Sequence, residues 1–158
     1  MISERSSSPS QQQSKPSTIQ KAQKADNNAS SHVVNAPALG KFCKSQRLLN
    51  ANEFQNVFSE PPFRASHKHC LILAKPNNLG YARLGLIIAK KHIRLAVQRN
   101  RIKRLIRESF RQQQNMAGID AIVLARKGFG ELDNSAISKI MDQQWLKIQK
   151  KAAAQKVK

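Results

Sequence analysis

Acidic side chains are scarce in this 158-residue chain: 9 Asp and Glu stand against 28 Lys and Arg, for a formal charge of +19 and a pI near 10.8. That imbalance excludes a cationic partner and asks for a polyanion, either nucleic acid or an anionic membrane surface. No apolar run approaches the roughly 18 residues that a membrane span requires, and the first residues have no apolar h-region, which speaks against secretion. Cysteine occurs twice, as Cys43 and Cys70, without a CxxC pair. A zinc ribbon or a disulfide scaffold is therefore not expected, and two reduced thiols in a cytosolic protein are. Catalytic groups are equally sparse. Asp120, Glu131 and Asp133 flank a strand and a helix start, too few carboxylates for a protein-based two-metal nuclease. His67 and His69 fall on one side of an expected strand, yet no third ligand stands at a telling spacing. Neither a Gly-rich phosphate loop nor GxSxG occurs. The chain alone is expected to be inert toward RNA.

What is present begins after residue 40. Residues 1–40 hold nine serines and a QQQ run, and contribute only +2 of the charge, leaving +17 to the remaining 118 residues. Such a stretch buries too little apolar area to offset its ordering entropy, so 1–40 reads as a disordered Ser/Gln-rich tail. A transit peptide would also be Ser-rich, but this segment has a single arginine. Residues 41–152 read as one folded domain, followed by a basic C-terminus, 153–158, that frays.

Within the domain, Asn50 or Asn52 caps a short helix with Phe54, Val57 and Phe58 on one face, and Pro61-Pro62 stops it. HCLILAK at 69–75 reads as a strand, PNNLG at 76–80 as a turn, and RLGLIIAKK at 83–91 as a second strand. After a basic helix, IDAIVLAR at 119–126 is a third strand. A last helix begins near Asp133-Asn134, with Ile137, Ile140, Met141, Trp145 and Ile148 on one face. The order implies an α+β domain, helices packed on one small sheet.

The basic helix carries the functional signal. In QRNRIKRLIRESFRQQQ, residues 98–114, six of seventeen side chains are Lys or Arg and one, Glu108, is acidic. At 3.6 residues per turn, with Arg99 at zero, Leu95, Ile102, Leu105, Ile106, Ser109 and Phe110 fall between about 240° and 20°. Asn100, Arg101, Lys103, Arg104, Arg107, Glu108 and Arg111 take the arc from about 40° to 200°. One face packs on the sheet and the other presents cations at fixed spacing. Repulsion at Arg99/Lys103, Lys103/Arg107 and Arg107/Arg111 costs roughly 0.2–0.5 kcal/mol per pair, which a polyanion would relieve. A membrane-surface helix would expose large apolar residues, whereas this apolar face is needed for the core. Arginine suits bidentate contact with phosphate. Asn100 caps the helix, contacts a phosphate or base edge, or helps to hold a hydrated metal; spacing alone leaves these open.

AKKHIRLAVQRNRIKRLIRESFR at 89–111, with its RNR core at 99–101, resembles the bacterial ribonuclease P protein component. RLLNANEFQNVF at 47–58, LGYARLGLIIAKK at 79–91, IDAIVLARKG at 119–128 and ELDNSAI at 131–137 also fit, in the expected order. The resemblance implies a ribosomal protein S5 domain 2-like fold with a left-handed βαβ crossover around the basic helix. It also implies a ribonucleoprotein in which a catalytic RNA, with Mg²⁺ held mainly by that RNA, removes the 5′ leader of precursor tRNA. The protein would bind the RNA and the leader in the cytoplasm, with no membrane or DNA partner and no catalytic or metal site of its own. Lys90, Lys91, Arg94, Arg99, Asn100, Arg101, Lys103, Arg104, Arg107 and Arg111 would face RNA. Phe54 and Phe58 would line a leader cleft, where bases stack on aromatics; helical spacing alone also allows plain core packing. Residues 92–94, His-Ile-Arg, replace a glycine-containing turn of many members. A ribosomal-type structural RNA binder and a free-standing nuclease are the competing readings.

Overall fold

A computed structural model describes residues 42–113, 116 and 118–157; the expected tail, 1–40, lies outside them. A short 3-10 turn, Lys44–Gln46, leads into helix α1, Ala51–Ser59. Asn50 is the N-cap, and Glu53 folds back so that its Oε2 accepts from the amides of Leu49 at 2.8 Å and Asn50 at 3.1 Å. Strands β1, Phe63–Ser66, and β2, Cys70–Pro76, form a hairpin. β3, Arg83–Ile87, joins through helix α2, Ala96–Arg111, to β4, Ile119–Ala125, and helix α3, Asn134–Lys156, ends the domain.

The four-stranded sheet has the order β1-β2-β4-β3. β4 is antiparallel to β2 and parallel to β3, so α2 is the crossover of a βαβ unit in a mixed sheet. Alternation along the strands assigns residues to two faces. Ile72, Ala74, Leu84, Ala121 and Val123 point to the face covered by Ile102, Ile106 and Phe110 of α2 and Ile137, Met141, Trp145 and Ile148 of α3. Leu73 and Ile122 point the other way, to Leu48 and Val57 of the α1 side. The two large helices are pinned by a polar relay: Trp145 Nε1 donates to Ser109 Oγ at 3.1 Å, and Ser109 Oγ donates to Asp142 Oδ1 at 2.9 Å. The relay satisfies a buried indole and a buried hydroxyl at once.

Helices pack on the one small mixed sheet as expected, α2 and α3 on one face and α1 on the other. Several local expectations change. β1 was not expected; its four residues between a Pro pair and two histidines are too few to show a period. β3 stops at Ile87 rather than running to residue 91, because the amides of His92 and Ile93 both bond to Ala89 O and return buried Ile93 to the core. His67 and His69 sit in the β1–β2 turn, not on one side of a strand, although their rings are 5.7 Å apart. α3 runs past 153 to Lys156, favoured by Ala152-Ala153-Ala154 and by burial of Ala152.

Candidate nucleic-acid interface

α2 begins after Leu95, its N-cap, which has no side-chain cap bond. Asn100 is therefore an exposed residue inside the helix, and the cap reading of it is removed. Around it the cations divide into two kinds. Lys90, Lys91 and Arg94, in the turn and linker before α2, are exposed, as are Arg104 and Arg111 on the helix; Lys103 and Arg107 are half-buried. Among the described residues the side chains of Lys90, Lys91, Arg94, Lys103 and Arg104 form no hydrogen bond or ion pair within the chain, so their charges are left for a partner. Arg111 pairs with Glu108, Nη2 to Oε1 at 2.5 Å.

The two arginines of the RNR core behave differently. Arg101 Nη2 donates to Leu132 O at 2.7 Å and Gly130 O at 3.0 Å, and its Nη1 donates to Asn134 Oδ1 at 3.1 Å. Arg99 Nη1 donates to Arg94 O at 2.7 Å and Ile93 O at 3.0 Å. Both sit at the margins of the cationic arc, where a long side chain reaches back across the seam. They fasten α2 to the turn before it and to the segment entering α3. Ile93, in the turn without glycine, is packed in the core, which presents Lys90, Lys91 and Arg94 at its edges.

A groove of about 510 Å³ runs beside the helix, lined by Arg104, Leu105, Arg107, Glu108 and Arg111 together with Phe42. Arg47 lies over the Phe42 ring, 5.2 Å from its centroid, and Phe42 stands edge-on to Phe110 at 5.9 Å. Burial, and then the nearby charge of Arg47, push the Arg107 guanidinium below its ordinary value. Sequence reasoning missed Phe42 and Arg47; an aromatic among the basic residues Lys41, Lys44 and Arg47 at the start of the domain was the available signal.

Phe54 and Phe58 are half-buried on α1 and pack with Leu48, Val57, Leu73 and Ile122. Leu71, Ile87 and Leu124 on the same sheet face stay half-buried too, so α1 covers that face incompletely. At the edge of this face Arg83 binds both Glu53, at 2.6 Å, and Asp120, through Nε to Oδ1 at 2.8 Å and Nη2 to Oδ2 at 2.6 Å. Other carboxylates are likewise engaged: Asp133 accepts from the Ala136 amide, Asp142 from Ser109 and Glu108 from Arg111. No group of three His, Cys, Asp or Glu among the described residues is arranged to hold a metal ion, and a lone carboxylate already bridged to arginine is a poor ligand for Mg²⁺.

The Ribonuclease P family model matches residues 42–149. The ribonuclease P protein component of Marinobacter nauticus is 47% identical over 110 residues, covering 70% of this chain and 83% of that protein. The Pseudomonas aeruginosa component is 49% identical over 108 residues, covering 68% and 80%. The structure of the Staphylococcus aureus RNase P protein matches with a TM-score of 0.58 and 26% identity, covering 69% of this chain and 96% of that one. The Thermotoga maritima RNase P protein in complex with 1-(4-fluorophenyl)-2-thiourea matches with a TM-score of 0.56 and 28% identity, covering 62% and 96%. Sequence, fold order and the cationic α2 thus agree, and the chain belongs to the ribonuclease P protein family.

Proposed function

We propose that this chain is the protein subunit of a ribonuclease P ribonucleoprotein that removes the 5′ leader from precursor tRNA in the cytoplasm. The observation that carries this reading is the outward set of unpaired cations, Lys90, Lys91 and Arg94 before α2 and Lys103 and Arg104 on it, around a helix whose other face is locked into the core. With the backbone of the array already fixed, only side-chain ordering remains as a cost when phosphates are neutralised. Arg107 and Arg111 extend it along the groove that Phe42 also lines. Asn100 joins the array as a neutral donor and acceptor. Arg99 and Arg101 hold the array in place from its margins.

The half-buried aromatic floor of Phe54 and Phe58, with Leu71, Ile87 and Leu124, supports a role as the leader cleft, since single strands bind by stacking on such surfaces. Glu53, Glu108, Asp120, Asp133 and Asp142 are engaged by the protein's own residues and are poor ligands for a resident Mg²⁺. This reading assigns the metal to the RNA, where it would supply an activated water for hydrolysis. The protein's own part is to bind and orient: it screens phosphate repulsion between catalytic RNA and substrate, which lowers the Mg²⁺ needed to bring them together.

A precursor tRNA cleavage assay with three arms tests this. Protein alone cuts nothing, catalytic RNA alone cuts little at low Mg²⁺, and the two together cut efficiently at the same Mg²⁺. Cleavage by protein alone would make it a free-standing nuclease. RNA binding without any effect on the Mg²⁺ requirement would make it a structural RNA binder.

A further inference from the structure

α3 and the β1–β2 turn form a second cationic surface, built at the edge of the sheet opposite β3. The exposed arc of α3 carries Lys147, Lys150 and Lys151, and the adjoining hairpin adds Arg64 and Lys68, all exposed, with half-buried Arg126 behind them. The pieces touch: Lys151 Nζ donates to Arg64 O at 2.6 Å, and Arg126 Nη1 donates to His67 O at 3.0 Å. None of these six cations enters an ion pair among the described residues; the pairs formed are Arg83 with Glu53 and Asp120, and Arg111 with Glu108. Lys147 and Lys151 stand at i, i+4 and Lys147 and Lys150 at i, i+3, so the helix bears like-charge repulsion here as α2 does. His67 registers the same crowding. Burial lowers its pKa, and His69, Lys147 and Lys68 each lower it further.

The strand order gives this surface its meaning. β1 is one edge of the sheet and β3 the other; α3 packs along β1 while α2 crosses between β3 and β4. The two basic surfaces therefore belong to different edges of the sheet, the first to the β3 side and the second to the β1 side. The first sets arginines beside Phe42, whereas lysines make up four of the six cations of the second, which suits contact with backbone phosphate.

We propose that the α3–hairpin surface, centred on Lys68, Lys147 and Lys150, binds the phosphate backbone of a second RNA segment while α2 holds the first. The inference rests on the ribonuclease P reading for the identity of that RNA, but not for its chemistry. The test uses the full chain carrying Lys68→Gln, Lys147→Gln and Lys150→Gln, three exposed side chains without partners whose replacement leaves the thermal unfolding curve in place. Filter binding is measured across a KCl series with two probes, the cognate catalytic RNA and a plain RNA duplex. The triple variant should lose about 2 from the slope of log Kd against log salt with both probes, at about 0.7 or more per lost phosphate contact. Combined with Lys103→Gln and Arg104→Gln on α2, the losses on the catalytic RNA should add. Loss on the duplex alone supports the surface and contradicts the catalytic RNA as its partner. A wild-type slope with both probes, while the α2 variant loses slope in the same assay, overturns the inference and leaves α2's role intact.

Discussion

Arg101 Nη2 stands 2.7 Å from Leu132 O, so a guanidinium from the middle of the basic motif closes the gap between α2 and the start of α3. Arg104, one turn on, is exposed and unpaired. The two arginines should therefore fail differently. Arg101→Ala removes charged hydrogen bonds to two backbone carbonyls and should cost about 2 kcal/mol in urea unfolding. Arg104→Ala should stay within about 0.5 kcal/mol of wild type while weakening RNA binding. Equal stability of the two variants would mean that the Arg101 clamp contributes nothing.

This division marks the limit of what periodicity tells. The helical arc placed Arg101 among the outward cations because angle alone does not report where a long side chain turns, and Arg101 lies only some 40° from the apolar arc. The fold was legible where the pattern was long: α2, α3 and the apolar runs of β2 and β4. β1 was not, at four residues, and β3 was overextended because Ile88 and Ala89 continue its apolar run into the turn. The hairpin histidines looked like strand neighbours for the same reason.

Phe54 rests on the backbone of Gly85. A methyl group there would stand 2.6 Å from Phe54 Cε1 and 2.9 Å from Cζ. Gly85→Ala should destabilise by about 1–3 kcal/mol through overpacking, and adding Phe54→Leu should recover part of that loss in a double-mutant cycle. Phe54→Ala, if the ring also serves the leader, should weaken binding of leader-bearing precursor more than of mature tRNA. Equal weakening would confine Phe54 to packing.

Asp120, 3% exposed, has Arg83 across the β3–β4 register and accepts from Asn77 Nδ2 at 2.5 Å. Asp120→Ala should cost about 3 kcal/mol, because it leaves a charge partly buried without its main partner. Burial would raise Glu53, but the Leu49 and Asn50 amides and Arg83 outweigh it, and its carboxyl is held below the usual 4.5. A depressed folded pKa contributes stability that is present above the unfolded value and is lost as pH falls through the folded one. Unfolding free energy should therefore decline below about pH 4.5, and less steeply in Glu53→Gln. An identical acid limb in the variant would remove Glu53 from the balance.

Cys70 is fully buried at the start of β2, and burial pushes its thiol up to about 11 despite Arg126 and Lys147. The thiolate is the nucleophile. Iodoacetamide at pH 8 should leave Cys70 unmodified in the native protein and alkylate it in urea, as read by mass spectrometry of peptides. Rapid native labelling would show that β2 opens readily.

The most direct measurement is the salt dependence of binding to the catalytic RNA for Lys103→Ala/Arg104→Ala against wild type. If the outward face of α2 grips phosphate, the slope of log Kd against log salt falls by about 1.4 to 1.8, with the unfolding curve unchanged. An unchanged slope in a folded variant would take α2's exposed cations out of the RNA interface and contradict the account.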